Sequence, residues 1–317
     1  MPTMTQLMPI LPWMVNLGVH PRICLTVRTY VWAVLSVASA VVPRALQKLF
    51  PAYLTIVILC FGCRSDDAFI KVGDGSFELK DQPFFPLAVN YILSVRTDRQ
   101  SPWVGPGVDY SDSVWLNQSH QRDIGILRGH FEMIKDAGFN TVRLVGFSKL
   151  DDYEGHPTVK GRITPFEERR FRLDSADMRA RYLDDLAQVL DLVRQAGLKA
   201  ILLTDLKPED PYAEGLFIDI AKRFRDDPTV MAYDLFNEPL YFDPEWRDKT
   251  AVHRIGARWD SLMNAHAPHQ LWTIGLANMR EFLEWDPSVL DADFFSFHPY
   301  EHEPGQVLSE IDRKSVV

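Results

Sequence analysis

Short apolar runs alternate with amphipathic segments along most of the chain. The runs that predict buried strands span residues 84–91, 139–147, 198–206, 231–236, 270–275 and 293–300. The segments whose apolar residues recur at helical spacing span residues 121–137, 175–192, 216–224 and 250–265. Alternation of this kind is typical of a parallel sheet joined by right-handed helical crossovers. The sequence therefore predicts an α/β fold with six parallel strands.

Three further segments give weaker signals. Residues 69–83 alternate apolar and polar positions around Gly73-Asp74-Gly75, which predicts a short hairpin. Residues 94–117 are rich in Gly, Pro, Ser and Asp and predict a long loop. Its aromatic residues, Trp103, Tyr110 and Trp115, would either line a sugar-binding groove or pack beneath the loop. Residues 148–175 are highly charged and predict a solvated loop.

Composition and charge narrow the range of functions. The chain has 317 residues and is 46% hydrophobic, enough for a sizeable core in one large domain or two smaller ones. The net charge of the chain is −9. Residues 1–64 contain five basic residues and no acid and so carry +5, which leaves −14 on the rest of the chain. An acidic body without a basic run is a poor candidate for binding nucleic acid. Neutral polymers or small molecules fit it better.

The first 63 residues predict a leader that is separate from a domain spanning residues 64–317. All three cysteines lie in the leader, so the body uses neither disulfides nor a thiolate nucleophile. Residues 52–62 are apolar and follow basic residues, as in a secretory signal. Gly62-Cys63 resembles a bacterial lipobox, in which Cys63 would be lipidated, although Cys60 and Phe61 depart from that pattern. A plain signal, an uncleaved anchor and a buried helix are the alternatives. We expect a secreted or membrane-anchored protein of the periplasm or cell surface.

The strand at 231–236 delivers Asn237-Glu238-Pro239, followed by the aromatics Tyr241, Phe242 and Trp246. A carboxyl at a strand end can protonate the leaving oxygen of a glycosidic bond. The neighbouring amide can bind a sugar hydroxyl, and aromatic faces can stack on a pyranose. The simpler alternative is a helix-capping Glu after an ordinary strand.

Two more strands carry unusual polar residues. Arg143 lies inside an apolar run, where a charge requires a carboxylate partner. It either forms a structural ion pair or points toward the strand end. His298 ends the last strand and taken alone is most simply a structural histidine. His298 and His302 are four residues apart, but Pro299 argues against a helix presenting both to a metal. The absence of a Gly-rich loop after the first strand argues against nucleotide binding.

These motifs together resemble the clan A retaining glycoside hydrolases, and family 5, the cellulase and mannanase group, most of all. The resemblance rests on Asn90-Tyr91, the stretch GFNTVR ending at Arg143, Asn237-Glu238-Pro239 and His298-Pro299-Tyr300, and it covers about residues 69–300. It implies a (β/α)8 TIM barrel with its chemistry at the C-terminal strand ends. It implies no cofactor and a β-linked polysaccharide or oligosaccharide as the substrate.

The resemblance also implies roles for individual residues. Glu238 would be the general acid and base, and Asn237 would bind the hydroxyl next to the reacting carbon. Arg143 and Tyr300 would hold the nucleophile carboxylate, and His298 would line the cleavage subsite. Asn90 would support the substrate at the end of the first strand.

Two departures from the family qualify this prediction. Thr204-Asp205 stands where the family often has a histidine after the third strand. A retaining mechanism also needs two carboxylates about 5–5.5 Å apart, and the family places its nucleophile on a seventh strand. Only about six of the eight units are recognisable, so we expect an incomplete barrel that is truncated after the sixth strand. Asp205, Glu301 and Glu303 are weak replacement nucleophiles. A carbohydrate-binding remnant without catalysis and an α/β protein unrelated to sugars are the rival hypotheses.

Overall fold

The computed structural model describes residues 68–73, 75–107, 119–164, 167–242, 246–277 and 279–298. The predicted leader with Cys63, the aromatics Tyr110 and Trp115, and Tyr300, Glu301 and Glu303 lie outside these ranges. In chain order the described strands are β1 (Ile70–Gly73), β2 (Ser76–Leu79), β3 (Gln82–Phe84), β4 (Ala88–Thr97), β5 (Pro102–Pro106), β6 (Thr141–Val145), β7 (Asp151–Tyr153), β8 (His156–Thr164), β9 (Glu167–Arg172), β10 (Lys199–Leu203), β11 (Val230–Asn237), β12 (Leu271–Leu276) and β13 (Ser296–Phe297).

The described helices connect these strands on the outside of the sheet. They are α1 (His120–Asp136), α2 (Ala176–Gln195), α3 (Pro211–Phe224), α4 (Pro239–Phe242), α5 (Lys249–His266), α6 (Met279–Glu284) and α7 (Pro287–Leu290). The four predicted helices correspond to α1, α2, α3 and α5. Gly138 and Gly197 follow α1 and α2 with φ of +93° and +70°, a backbone region that favours glycine. Within the described residues, no helix combines the length and apolar character needed to cross a bilayer.

The six predicted strands form one parallel sheet in the order β13-β12-β11-β10-β6-β4, with every neighbouring pair parallel. Strands β10, β11 and β12 are buried almost throughout, as expected for central strands of a parallel sheet. No pairing among the described strands joins β13 to β4. The prediction of a parallel α/β sheet is therefore confirmed, and its described strands do not close into a ring.

The predicted hairpin at residues 69–83 is confirmed and gains a third strand. β1 pairs antiparallel with β2, and β2 pairs antiparallel with β3. Ile70 on the hairpin packs with Ile201, Met231 and Leu271, which lie in or near the first half of β10, β11 and β12. The hairpin thus covers the N-terminal end of the parallel sheet, opposite the end where the candidate site lies.

The prediction of a loop at residues 94–117 is wrong over its first part. β4 runs on to Thr97 and pairs antiparallel with β5. Trp103 is buried, and its Nε1 donates to Asp123 Oδ2 at 2.7 Å. Trp103 therefore packs beneath its own segment and lines no groove, because its indole N–H is committed to a buried carboxylate.

The prediction of a solvated loop at residues 148–175 is also wrong, since β7, β8 and β9 form antiparallel pairs there. The charged side chains of β9 are exposed, whereas Phe171 and Val159 face the core. Lys160 on β8 forms an ion pair with Asp151 on β7 at 2.7 Å. The prediction failed because five of the six residues of β9 are charged and exposed, so its composition does not indicate a strand.

Candidate active site

The C-terminal ends of the parallel strands bring together polar side chains from distant parts of the sequence. Arg143 on β6 lies in register with Asn90 on β4. Asn237 ends β11, Glu238 follows it, and His298 follows β13. Because all these strands are parallel, their C-terminal ends meet at one edge of the sheet.

Arg143 is the centre of one half of the site. Its side chain is 12% exposed, and its Nε and Nη2 donate to Asp234 Oδ2 at 2.8 and 2.6 Å. Nη2 also donates to Asn237 Oδ1 at 2.7 Å, and Nη1 donates to Asn90 Oδ1 at 3.3 Å. The two interpretations of Arg143 are therefore compatible, because it forms a structural ion pair and also orients Asn237 at the end of β11. Asn90 lies near the start of β4 and not at its end as predicted, because β4 continues to Thr97.

Asp234, the partner of Arg143, was not identified from the sequence. Its side chain is fully buried on β11. Burial raises the pKa of Asp234, and the guanidinium of Arg143 opposes that rise. The available signal was an acid inside one apolar run that matched an Arg inside another, because two such charges can share the interior only as a pair.

Glu238 belongs to the second half of the site and has a strained backbone conformation. Its φ is +44°, a left-handed value that costs a non-glycine residue roughly 1–2 kcal/mol. Its N–H donates to Gly275 O at 2.7 Å, and its carbonyl accepts from Tyr241 N at 2.9 Å. The residue is 9% exposed. Strained residues concentrate at functional sites, where the surrounding contacts hold them in place.

His298 contacts the Glu238 carboxylate directly. Its Nδ1 lies 2.8 Å from Glu238 Oε1, and its Nε2 lies 3.4 Å from Ser296 Oγ. Gly275 makes room for this ring, since a Cβ at that position would lie 2.6 Å from His298 Cε1. The structure therefore brings Arg143, Asn90 and Asn237 into one hydrogen-bonded group and Glu238 and His298 into a second. The peptide bond between Asn237 and Glu238 connects the two groups.

Two further acids are electrostatically coupled to these groups. Asp205 follows β10, and burial together with the charge of Asp234 raises its pKa. Glu281 on α6 is fully buried, and burial raises its pKa, with a further contribution from the charge of Glu238. Glu281 was not identified from the sequence, which offers no local signal for it. Among the described residues, no group of three His, Cys, Asp or Glu side chains is arranged to hold a metal ion.

Exposed aromatic rings follow Glu238 on the same loop. Tyr241 is 65% exposed, and Trp246 is 50% exposed. The guanidinium of Arg280 lies 5.6 Å from the centre of the Trp246 ring. Rings of this kind could stack on a sugar. The side chain of Phe242 lies outside the described part of the structure.

Comparison with known proteins identifies the family and the fold. The family model for cellulase (glycosyl hydrolase family 5) matches residues 103–310, about two thirds of the chain. The fold resembles that of a β-1,4-D-mannanase from Cryptopygus antarcticus, with a TM-score of 0.50, 17% identity, and coverage of 74% of this chain and 72% of that one.

More distant structural similarities extend to other glycosidases. An endo-1,4-β-mannanase from Eisenia fetida has a TM-score of 0.43 and 14% identity, with coverage of 74% of this chain and 73% of that one. A β-glucuronidase from Bacteroides uniformis has a TM-score of 0.43 and 13% identity, and the match spans 78% of this chain but 25% of that one. No curated protein matches the chain significantly.

Proposed function

This chain belongs to glycosyl hydrolase family 5, and we propose that it hydrolyses β-linked polysaccharides or oligosaccharides of the mannan or glucan type by a retaining mechanism. Its six described parallel strands form part of a (β/α)8 barrel of the TIM type. The observation that carries the proposal is the contact between Glu238 and His298 beside the group formed by Arg143 and Asn237. All four residues lie where barrel enzymes of this kind carry out their chemistry.

In the proposed mechanism, Glu238 is the general acid and base. With Nδ1 protonated, His298 donates to Glu238 Oε1, so the transferable proton resides on Oε2. Oε2 then protonates the leaving oxygen as the glycosyl group passes to the nucleophile carboxylate, and it later accepts a proton from the water that releases the sugar from that carboxylate.

Asn237 is proposed to bind the hydroxyl next to the reacting carbon. Its Oδ1 accepts from Arg143, so its Nδ2 group is the donor that can face a sugar oxygen. Arg143 and Asp234 hold this amide in a fixed orientation, and Asn90 extends the polar surface onto β4. We propose that Arg143 and Tyr300 border the position of the nucleophile carboxylate.

A carbohydrate-binding role without turnover is the second candidate. The Asp234 carboxylate is committed to Arg143, and the Glu281 carboxylate is committed to backbone N–H groups. Neither of these two described acids is therefore available to attack a sugar. In this alternative the groove binds an oligosaccharide and Glu238 has no catalytic effect.

Turnover and binding by the 317-residue chain and by Glu238→Gln distinguish the two roles. Release of reducing sugar from soluble β-mannan, β-glucan and xylan measures turnover, and calorimetry measures binding. We expect the variant to lose about 10²–10⁴-fold in turnover. Glu154→Gln is the matched control, because Glu154 also has a left-handed φ of +55° and is exposed on a distant turn. Equal turnover in Glu238→Gln and the parent would refute the acid and base assignment. Equal binding with no turnover in either protein would favour the second role.

We also propose that residues 1–63 are a leader that directs the hydrolase domain to the periplasm or cell surface, with lipid attached at Cys63. The run of apolar residues before Gly62-Cys63 supports this assignment. Incorporation of labelled palmitate in a bacterial host, lost in Cys63→Ala, tests it. Unlabelled protein in the membrane fraction would indicate an uncleaved anchor instead.

A further inference from the structure

The short helix α6 carries two fully buried acids, Glu281 and Glu284, three residues apart. Each accepts a backbone N–H from the segment that follows Glu238. Glu281 Oε1 accepts from Leu240 N in α4 at 3.0 Å, and Glu284 Oε1 accepts from Arg247 N at 2.9 Å. The two carboxylates therefore bind two separate points of that segment.

Glu281 also makes a second backbone contact. Its Oε2 accepts from Ala277 N at 2.5 Å, just beyond the end of β12. The carbonyl of Gly275, two residues earlier, accepts the N–H of Glu238. The carboxylate of Glu281 thus ties the turn after Glu238 to the same strand end that binds Glu238 itself.

This arrangement bears on the strain at Glu238. A left-handed glutamate persists only where the surrounding contacts fix the turn. Burying a carboxylate is unfavourable unless hydrogen bonds compensate it, and two charge-assisted bonds to backbone N–H groups do so here. Removing those bonds would leave two N–H groups without their acceptors and release the turn that aims Glu238.

We propose that Glu281 is a positioning residue, which acts through the Leu240 and Ala277 amides to hold Glu238 in the orientation for proton transfer. The role in catalysis rests on the function proposed above. The role in holding the turn does not. Glu281 contacts no substrate in this proposal.

The first test is the dependence of the Glu281→Gln defect on the leaving group. A displacement of Glu238 by about 1 Å would cost on the order of 10²-fold in kcat for an unactivated β-linked oligosaccharide. A dinitrophenyl glycoside needs no acid for its departure, so kcat/KM for this substrate, which reports the steps up to departure, should change little. A purely structural defect would lower both rates equally through a smaller folded fraction, and that result would overturn the proposal.

The second test is hydrogen exchange and needs no activity. In Glu281→Gln the NH2 group replaces one acceptor oxygen, so at least one of the amides of Leu240 and Ala277 should exchange faster than in the parent, while those of α1 should not change. Glu284→Gln is the matched control, since it alters an equally buried acid on the same helix and should affect exchange at Arg247 N rather than at Leu240 or Ala277. Equal exchange at Leu240 and Ala277 in the two variants would refute the positioning role.

Two outcomes separate this proposal from the proposed function. If the parent hydrolyses no glycoside, the proposed function fails, and hydrogen exchange still decides whether Glu281 holds the turn. If Glu281→Gln does not fold, Glu281→Asp replaces it in both tests. Asp keeps the charge but is one methylene shorter, so it cannot reach both amides. Unchanged exchange in Glu281→Asp would likewise contradict the proposal.

Discussion

Replacing Arg143 by Met tests the buried ion pair on which the candidate site is built. The change keeps most of the side-chain length but removes the charge. It leaves Asp234, which is fully buried, without the two N–H bonds to its Oδ2. It also removes the donor to Asn237 Oδ1.

The expected loss follows from burial on both sides of the pair. Removing one partner of a buried pair costs about 3–5 kcal/mol. Arg143 is 12% exposed, so we expect the lower end, about 3 kcal/mol. In the double variant Arg143→Met/Asp234→Asn, both charges of this pair are removed. Its loss should therefore be smaller than the sum of the single losses, with a coupling of about 1 kcal/mol or more.

The loss should also depend on pH. Without the guanidinium the pKa of Asp234 rises further, because burial raises it and Arg143 is what opposes the rise. A carboxyl whose folded pKa lies above its unfolded value favours the fold at low pH and loses this contribution as pH rises through the folded pKa. The deficit of Arg143→Met should therefore be smaller at pH 5 than at pH 8.

Urea unfolding followed by tryptophan fluorescence measures these free energies at both pH values. The reasoning is refuted if Arg143→Met costs less than about 1 kcal/mol, well below the range for a broken buried pair. Additive losses in the double variant, or the same deficit at pH 5 and pH 8, would also contradict it.

Three further predictions concern other parts of the structure. Gly275→Ala places a Cβ 2.6 Å from His298 Cε1, so it should move the ring from Glu238 and lower turnover at least tenfold. Gly105→Ala places a Cβ 2.9 Å from the buried Asp123 carboxylate and should lower the free energy of unfolding by about 3 kcal/mol in urea. Burial and the charge of Asp184 raise the pKa of Asp185 to about 7. Asp185→Asn should therefore raise the melting temperature most at pH 8, with the gain shrinking toward pH 4.

Gly215→Ala is the control for the two glycine variants. Gly215 lies in helix α3, where an added Cβ would approach Arg179 Nη1 to 3.9 Å, an ordinary contact distance, so Gly215→Ala should not destabilise the protein and should leave turnover unchanged. If Gly275→Ala behaves like Gly215→Ala, the close approach of the His298 ring is wrong. A melting-temperature gain for Asp185→Asn that is the same at every pH would show that Asp185 titrates near its ordinary value.

The central sheet could be predicted from the sequence because its strands are continuous apolar runs. β10, β11 and β12 are buried on both faces, so their composition is itself the signal. The strands at the periphery gave no such signal. β9 has one buried residue, Phe171, and is defined by its hydrogen bonds to β8, which local composition does not encode.

The residues of the candidate site also differ in how far local sequence reveals them. Glu238, Asn237 and His298 lie in short motifs at strand ends, so their neighbours in the chain identified them. Asp234 and Glu281 act through partners far away in the chain. Asp234 binds a residue 91 positions away, and Glu281 binds one 41 positions away. Such pairs become visible only when the strands are in place.

The position of the N-terminal hairpin has a consequence for the order of folding. The ring of Phe69 stacks on His269 at 5.0 Å, and Ile70 packs with Leu271, so contacts at the start of the domain close a loop of roughly 200 residues. During synthesis, β1 emerges long before β12 exists to receive it. The first part of this domain to leave the ribosome is therefore among the last to reach its native position. Until then, Met231 and its neighbours present an uncovered apolar surface at the base of the sheet that a chaperone could recognise.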